Sequence, residues 1–372
     1  MAGAKNIFNT PSVTVNSGAE IMVGGGEQVF KNLSGSGVIE IEANTDLISI
    51  YENDCIISGK IIGGADHTEF EKKGPGTLTL TGANEFSGYI KIDEGKIIFK
   101  GDAISANEEI FGRENGYVEF YTEGTKFLYI PDKSKEIEVK SIEKTGDSDS
   151  ILQIYEGAAG CISAESFVIS SGRLDYGGYF QSLAPEGEDL GIFDVKAGVT
   201  YSPGLTVDEH GEVVDTFGNM TISNEAILTI EQSALILFEF DAYKEEGLRF
   251  DKVVFEHENS TFVAADGTID LAFLSNDAWK WAKEGAEYWI VNDHGFNHIP
   301  EGETVNYDNW LRDTYKDYFS LVGRYNGLYL VGKGAPEPPV PPSLAVPEPS
   351  SWALLIGGML SVLFFLKKKR GC

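Results

Sequence analysis

Between Ser12 and Gly332, apolar and polar residues alternate in short segments: Val38-Ile-Glu-Ile41, Leu47-Ile-Ser-Ile50, Thr77-Leu-Thr-Leu80, Tyr89-Ile-Lys-Ile92, Lys96-Ile-Ile-Phe99 and Ile227-Leu-Thr-Ile230. A period of two sends successive side chains to opposite faces of a strand, so each segment predicts one buried and one solvated face. Gly, Asn, Asp and Ser bound the segments, and the 43 glycines of this 372-residue chain supply turns that need positive φ. The pattern predicts an all-β body over residues 1–332.

The pattern also echoes itself. Gly35-Ser-Gly-Val-Ile-Glu-Ile41 recurs as Gly74-Pro-Gly-Thr-Leu-Thr-Leu80, and Ile57-Ser-Gly-Lys-Ile61 recurs loosely as Phe86-Ser-Gly-Tyr-Ile-Lys-Ile92. A β unit repeated along a chain predicts a solenoid, in which each coil buries its apolar face against its neighbour. The stretch from Lys72 to Phe99 resembles the autotransporter-associated β-strand repeat. Gly74-x-Gly76 precedes an alternating strand, Gly82-Ala83-Asn84 marks a turn, Phe86-x-Gly88 the next, and Gly95 opens a final strand. An upstream copy occupies Asn32 to Gly64; Gly198-Val-Thr-Tyr-Ser-Pro-Gly204 and the strand pairs from Asn219 to Leu274 resemble later coils. The resemblance implies a right-handed parallel β-helix exposed outside the cell, its clearest repeat at 72–101. The chain departs from autotransporters in lacking a C-terminal membrane barrel, so only the passenger-like repeat carries over.

Two segments break the period of two. Asn276-Asp-Ala-Trp-Lys-Trp-Ala-Lys283 and Asp308 to Phe319 carry helix-compatible residues, with Trp310, Leu311, Tyr315, Tyr318 and Phe319 near one helical face. They predict a cap over 275–332, because an open solenoid end exposes apolar side chains and unpaired strands. The other reading of these aromatics is sugar stacking on Trp279, Trp281 or Trp310. Strands at 318–322 and 327–331 are expected to close the domain, and 333–346 is a proline-rich spacer.

Charge narrows the partners. Twenty-nine Lys and Arg against 58 Asp and Glu give −29, more negative still once the cations at the extreme C-terminus are set aside. Such a surface repels nucleic acid and anionic membranes, and solvated acidic loops are the expected home of most carboxylates. No D-x-D-x-D-G spacing indicates calcium, and no C-x-x-C pair indicates zinc or thiol exchange. Cys55 and Cys161 are expected as one disulfide or two free thiols, and Cys372 lies in the tail.

That tail has three parts. Val346-Pro347-Glu348-Pro349 is rigid and solvated, the run from Trp352 to Leu366 is free of charge, and Lys367, Lys368, Lys369 and Arg370 form a basic stop. As a helix the run spans about 22 Å against the ~30 Å of a bilayer core, a mismatch that snorkelling cations and local thinning absorb. It predicts a single C-terminal transmembrane helix with Arg370 on the cytoplasmic side and the body outside. The order of parts resembles the PEP-CTERM sorting signal of Gram-negative exported proteins, covering 347–372. The resemblance implies an exosortase-type membrane transpeptidase as partner, transient residence in the inner membrane, and release to the cell surface or extracellular matrix. Exopolysaccharide or other surface proteins are the candidate partners there. A permanent single-span anchor is the competing reading. Residues 1–10 carry no apolar h-region, so the start is read as truncated.

No chemistry declares itself. The closest pair of histidines, His294 and His298, has a spacing of four but is interrupted by Gly295 and lacks an H-E-x-x-H glutamate. G-x-S-x-G, P-loop and dinucleotide fingerprints do not occur. No catalytic residue, cofactor or metal ligand is assigned. The expectation is a non-enzymatic structural or adhesive protein; a β-helix polysaccharide lyase or hydrolase with an acid cluster on one face is the alternative.

Overall fold

The computed structural model describes residues 6–7 and 12–334, apart from 65–66, 104–108, 131–135, 157–160, 185–189, 205, 208–212, 216–217, 244–246, 274–282, 294–295 and 297–298. The chain divides into two units, Met1–Gly334 and Ala335–Cys372, and every described residue belongs to the first.

Alternation becomes strands where it was expected. Val38–Ile41 and Tyr89–Ile92 are strands, and the other segments lie within or overlap Thr45–Ile50, Leu78–Leu80, Gly95–Lys100 and Ala226–Ile230. Nearly all pair in parallel with the strand of the next rung, so one position repeats along a ladder. Leu47 pairs with Phe70, Phe70 with Ile90, Ile90 with Ile110, Ile110 with Ile137, and Ile137 with Ile162. Each of these side chains is buried. Full burial of such a side chain contributes about 1.5–3 kcal/mol, and stacking like on like lets consecutive rungs share one core.

Among the described residues, 23 strands join in one large sheet, four form a second sheet and seven a third. The four-stranded sheet contains Glu20–Val23, Val38–Ile41, Ile61–Gly63 and Glu85–Phe86; the seven-stranded sheet begins at Thr125–Ile130 and includes Arg173–Tyr176, Thr200–Ser202 and Leu235–Tyr243. The result is an all-β, parallel-rich architecture consistent with a β-solenoid.

The stacking repeat differs from the echo in the sequence. Val38–Ile41 stacks between Glu20–Val23 and Ile61–Gly63, whereas Leu78–Leu80 lies in the large sheet between Cys55–Ile57 and Gly95–Lys100. The two resemble each other because both sides of the coil need a glycine turn followed by alternation. True neighbours are closer in sequence: Ile61 N donates to Asn84 Oδ1 at 3.0 Å, 23 residues on.

The C-terminal end changes style. Glu287–Asn292, Phe319–Arg324 and Gly327–Gly332 form an antiparallel meander, joined to the parallel ladder where Val253 pairs with Val291. The segment 308–319 is not the expected helix. It holds one 3-10 turn, Asp313–Tyr315, and otherwise runs as an extra edge: Gly267 N donates to Asn309 O, Ile269 N to Trp310 O and Arg312 N to Ile269 O. Pairing the last strand's open edge satisfies backbone groups that a helix would have left exposed. The other expected helix, 276–283, lies outside the described residues except for Lys283. Among the described residues no helix is long and apolar enough to cross a membrane, and the membrane segment expected at 352–366 lies outside them.

Candidate functional site

Two stacked rungs, Glu69 to Phe86 and Tyr89 to Lys100, carry the repeat signature, and their glycines sit where backbone meets backbone. A Cβ on Gly74 would lie 2.5 Å from Tyr51 O, and one on Gly76 2.5 Å from Asn53 O. On Gly82 and Gly88 it would run into the carbonyls of Gly59 and Thr68 in the rung before. Gly74 and Gly95 also have φ of 80° and 79°, a conformation that side chains resist.

Beside them the core column holds a lysine. Lys72 pairs in register with Ser49 and Ile92 and is fully buried. Its ammonium donates to Gly74 O and Glu94 O, both at 2.6 Å, and lies 5.7 Å from the centre of the Tyr51 ring. Burial lowers its pKa to about 8, against the pull of Glu94 and Asp54. Lys144 repeats the device farther along, paired with Phe120 and Ile169 and donating to Ser150 Oγ and Ser171 O. Each lysine ties turn carbonyls of neighbouring rungs together.

Outward side chains of these two rungs form a charged mesh across the ladder. Lys91 bonds Glu71 and lies 3.2 Å from Asp93, while Lys73 lies 3.0 Å from both acids. The hydrogen bond that Lys91 donates to Glu71 heads the causes that raise the pKa of Lys91. Alternating charges of this kind satisfy one another.

Carboxylates gather at one other place. On the seven-stranded sheet Arg173 Nε bonds Asp175, and its Nη2 reaches Glu239 Oε1 at 3.3 Å. Gln153 Nε2 donates to Asp175 Oδ2 at 2.9 Å. Asp251 accepts from Glu239 N at 2.9 Å and from Gly218 N at 3.2 Å and is completely buried. Burial, then the charge of Glu239, pushes the Asp251 pKa well above the usual carboxylate range. Burial works against the charge of Arg173, but Asp175 and Glu239 outweigh it and raise its pKa. Nothing in the sequence distinguished these acids from the many expected in solvated loops; alternation flanking Asp175, between buried Leu174 and Tyr176, was the one signal that it shares an ordered face.

Asp293 is a second buried acid. It is fully enclosed, neither carboxylate oxygen has a partner among the described residues, and burial raises its pKa to about 7. A shallow cleft of about 370 Å³ lies between the Asp266-Gly267 turn and Asn309, Arg312, Asp313, Thr314 and Lys316. Its charges are already engaged, Arg312 with Asp270 and Lys316 with Asp313. Trp310 is half-buried edge to face against Phe262 and 4.3 Å from the Tyr307 ring centre, so it serves the cap's packing. Trp279, Trp281, His294 and His298 lie outside the described residues. Cys55 and Cys161 lie on different rungs and are not joined, which removes the disulfide option. Among the described residues no group of three His, Cys, Asp or Glu side chains could hold a metal ion.

The family model for the passenger-associated-transport-repeat matches residues 70–97, the two stacked rungs that hold Lys72 and these glycines. No curated protein and no solved structure matches the chain. The repeat suggests an exported, surface-type protein. The sorting motif at Val346, Pro347, Glu348 and Pro349, the segment 352–366 and the basic residues 367–370 lie outside the described residues.

Proposed function

We propose that the chain is an exported, non-enzymatic protein of the cell surface or extracellular matrix, a right-handed parallel β-helix with a structural or adhesive role. Its route is a PEP-CTERM tail processed by an exosortase-type transpeptidase after transient anchoring in the inner membrane. The observation that supports this reading is the passenger-associated repeat at 70–97, seated in two stacked rungs whose register continues on both sides. A long parallel ladder offers an extended surface suited to exopolysaccharide or other surface proteins. The engaged charges of the outward mesh, and carboxylates committed to Arg173 and to backbone N–H groups, favour a structural role over catalysis.

Two measurements test it. Protease added to intact cells should digest the body; protection of the body would end the surface reading. Replacing Pro347, Glu348 and Pro349 by alanine should leave the full-length chain in the membrane fraction. Unchanged processing would overturn the sorting route while leaving export intact.

A further inference from the structure

The segment that covers the edge of Ile269–Phe273 leaves a recess where it departs. Gly267 N donates to Asn309 O at 2.7 Å, Ile269 N to Trp310 O at 2.8 Å and Arg312 N to Ile269 O at 3.0 Å, after which the chain enters the 3-10 turn Asp313–Tyr315. The cleft of about 370 Å³ lies between this turn and the Asp266-Gly267 turn. Gly267 keeps it open: its φ is 71°, and nothing lies within 4 Å of the position a Cβ would take. The polar groups around it are held by neighbours. Asp270, 4% exposed, accepts from Arg312 Nη1 at 2.6 Å, and Asn309 Nδ2 donates to Asp266 Oδ1. The other guanidinium nitrogens of Arg312, Asp266 Oδ2, Asn309 Oδ1 and the Thr314 hydroxyl have no partner among the described residues.

We propose that this cleft seats a neutral sugar residue and is the point where an uncharged glycan meets the end of the body. As a site in the cell it rests on the surface role proposed above, which brings the body into contact with glycan. Charge selects the class. The lining sets two carboxylates, Asp266 and Asp313, against two cations, Arg312 and Lys316, and Asp270 beside Arg312 adds a third carboxylate. An anionic polysaccharide would find no net positive charge here, and the −29 of the chain opposes its approach. A metal ion is not favoured either, since no group of three ligating side chains exists among the described residues. What the cleft does offer is a mixture of donors and acceptors on planar groups, which matches hydroxyls that both donate and accept. Arg312 is fixed by Asp270 and Asn309 by Asp266, so little side-chain freedom remains to be lost on binding. The volume is at the small end of the range for small-molecule sites and has room for about one or two sugar rings. No aromatic ring lines the cleft, so recognition runs through hydroxyls rather than ring faces, and the orientation of single hydroxyls sets the preference.

The test titrates the full-length chain with β-1,4-linked tetrasaccharides of glucose, mannose and galactose, and with tetragalacturonate as the charged comparator, by calorimetry and saturation-transfer NMR. At least one neutral tetrasaccharide should bind about tenfold or more tighter than tetragalacturonate, and the three epimers should differ among themselves. Gly267→Asn places a side chain in the cleft at a residue type that accepts positive φ, and it should abolish binding with the far-ultraviolet β signal unchanged. Thr314→Val, an isosteric change at an exposed position, should weaken binding about threefold or more. No binding by any neutral tetrasaccharide, equal or tighter binding of tetragalacturonate, or affinity unchanged in either variant would each overturn the seat. None of these results bears on the surface location, which digestion of the body on intact cells tests separately.

Discussion

Lys72 Nζ donates to the carbonyl of Glu94 at 2.6 Å, 22 residues along the chain and one rung away. A cation inside an apolar stack is costly unless acceptors meet it, and two turn carbonyls, Gly74 O and Glu94 O, do so here. Lys72→Met should therefore destabilise the body by about 2 kcal/mol at neutral pH, since two buried carbonyls lose their donor. The pH dependence has a definite sign. The folded-state pKa is lowered to about 8, so above that the unfolded chain holds the proton more tightly and folding gains. Wild-type stability relative to the methionine variant should rise by about 1.4 kcal/mol per pH unit from about pH 8 towards the usual lysine range, read from urea midpoints.

The glycine columns make a steric prediction. Gly59→Ala and Gly82→Ala each drive a Cβ into the carbonyl of the glycine one rung earlier, Gly37 and Gly59 respectively. Backbone cannot yield there without breaking the ladder, so each variant should lose more than about 3 kcal/mol or fail to fold. Gly198→Ala is the control: its φ is 79° but nothing lies within 4 Å of the new Cβ. It should cost only about 1–2 kcal/mol, the strain of a left-handed residue. Thermal midpoints of the three separate crowding from conformational strain.

Asp293→Asn should stabilise the protein in a pH-dependent way. The wild-type carboxyl has its folded pKa raised to about 7, so its contribution is fully present below the usual aspartate range and is lost as pH climbs through about 7. The asparagine variant should match wild type near pH 4 and exceed it by on the order of 3 kcal/mol at pH 8. Denaturant titrations at the two pH values check it; equal curves at both would refute the buried-acid account.

The cysteines give a chemical check. Cys55 and Cys161 form no disulfide and sit on separate rungs. Unfolded without reductant, the chain should take up an alkylating reagent on both, and the mass increment should not grow after prior reduction.

The elements of the body were legible because a solenoid repeats one local rule: alternate, then turn on glycine. Tyr89–Ile92 could be read from its own four letters. Period was less legible, since Gly35 to Ile41 and Gly74 to Leu80 obey the same rule on different sides of the coil, and sequence similarity does not say which side. The end of the body was misread for a related reason. Trp310, Leu311 and Tyr315 have helical spacing, yet what decides their conformation is the unpaired edge of Ile269, which belongs to another segment. Asp251 and Glu239 were illegible altogether. An acid buried through a contact with Gly218 N carries no local mark that separates it from an acid in water.

The last strand, Gly327–Gly332, lies between two antiparallel partners, Glu287–Asn292 and Phe319–Arg324. Any mechanical load transmitted up the chain from beyond Gly334 enters through this strand. It would have to be drawn out against two backbone ladders loaded together, rather than peeled from an edge one bond at a time. A tether joined at this point pulls on a strand secured on both sides, so the strand leaves the body only when both ladders have failed.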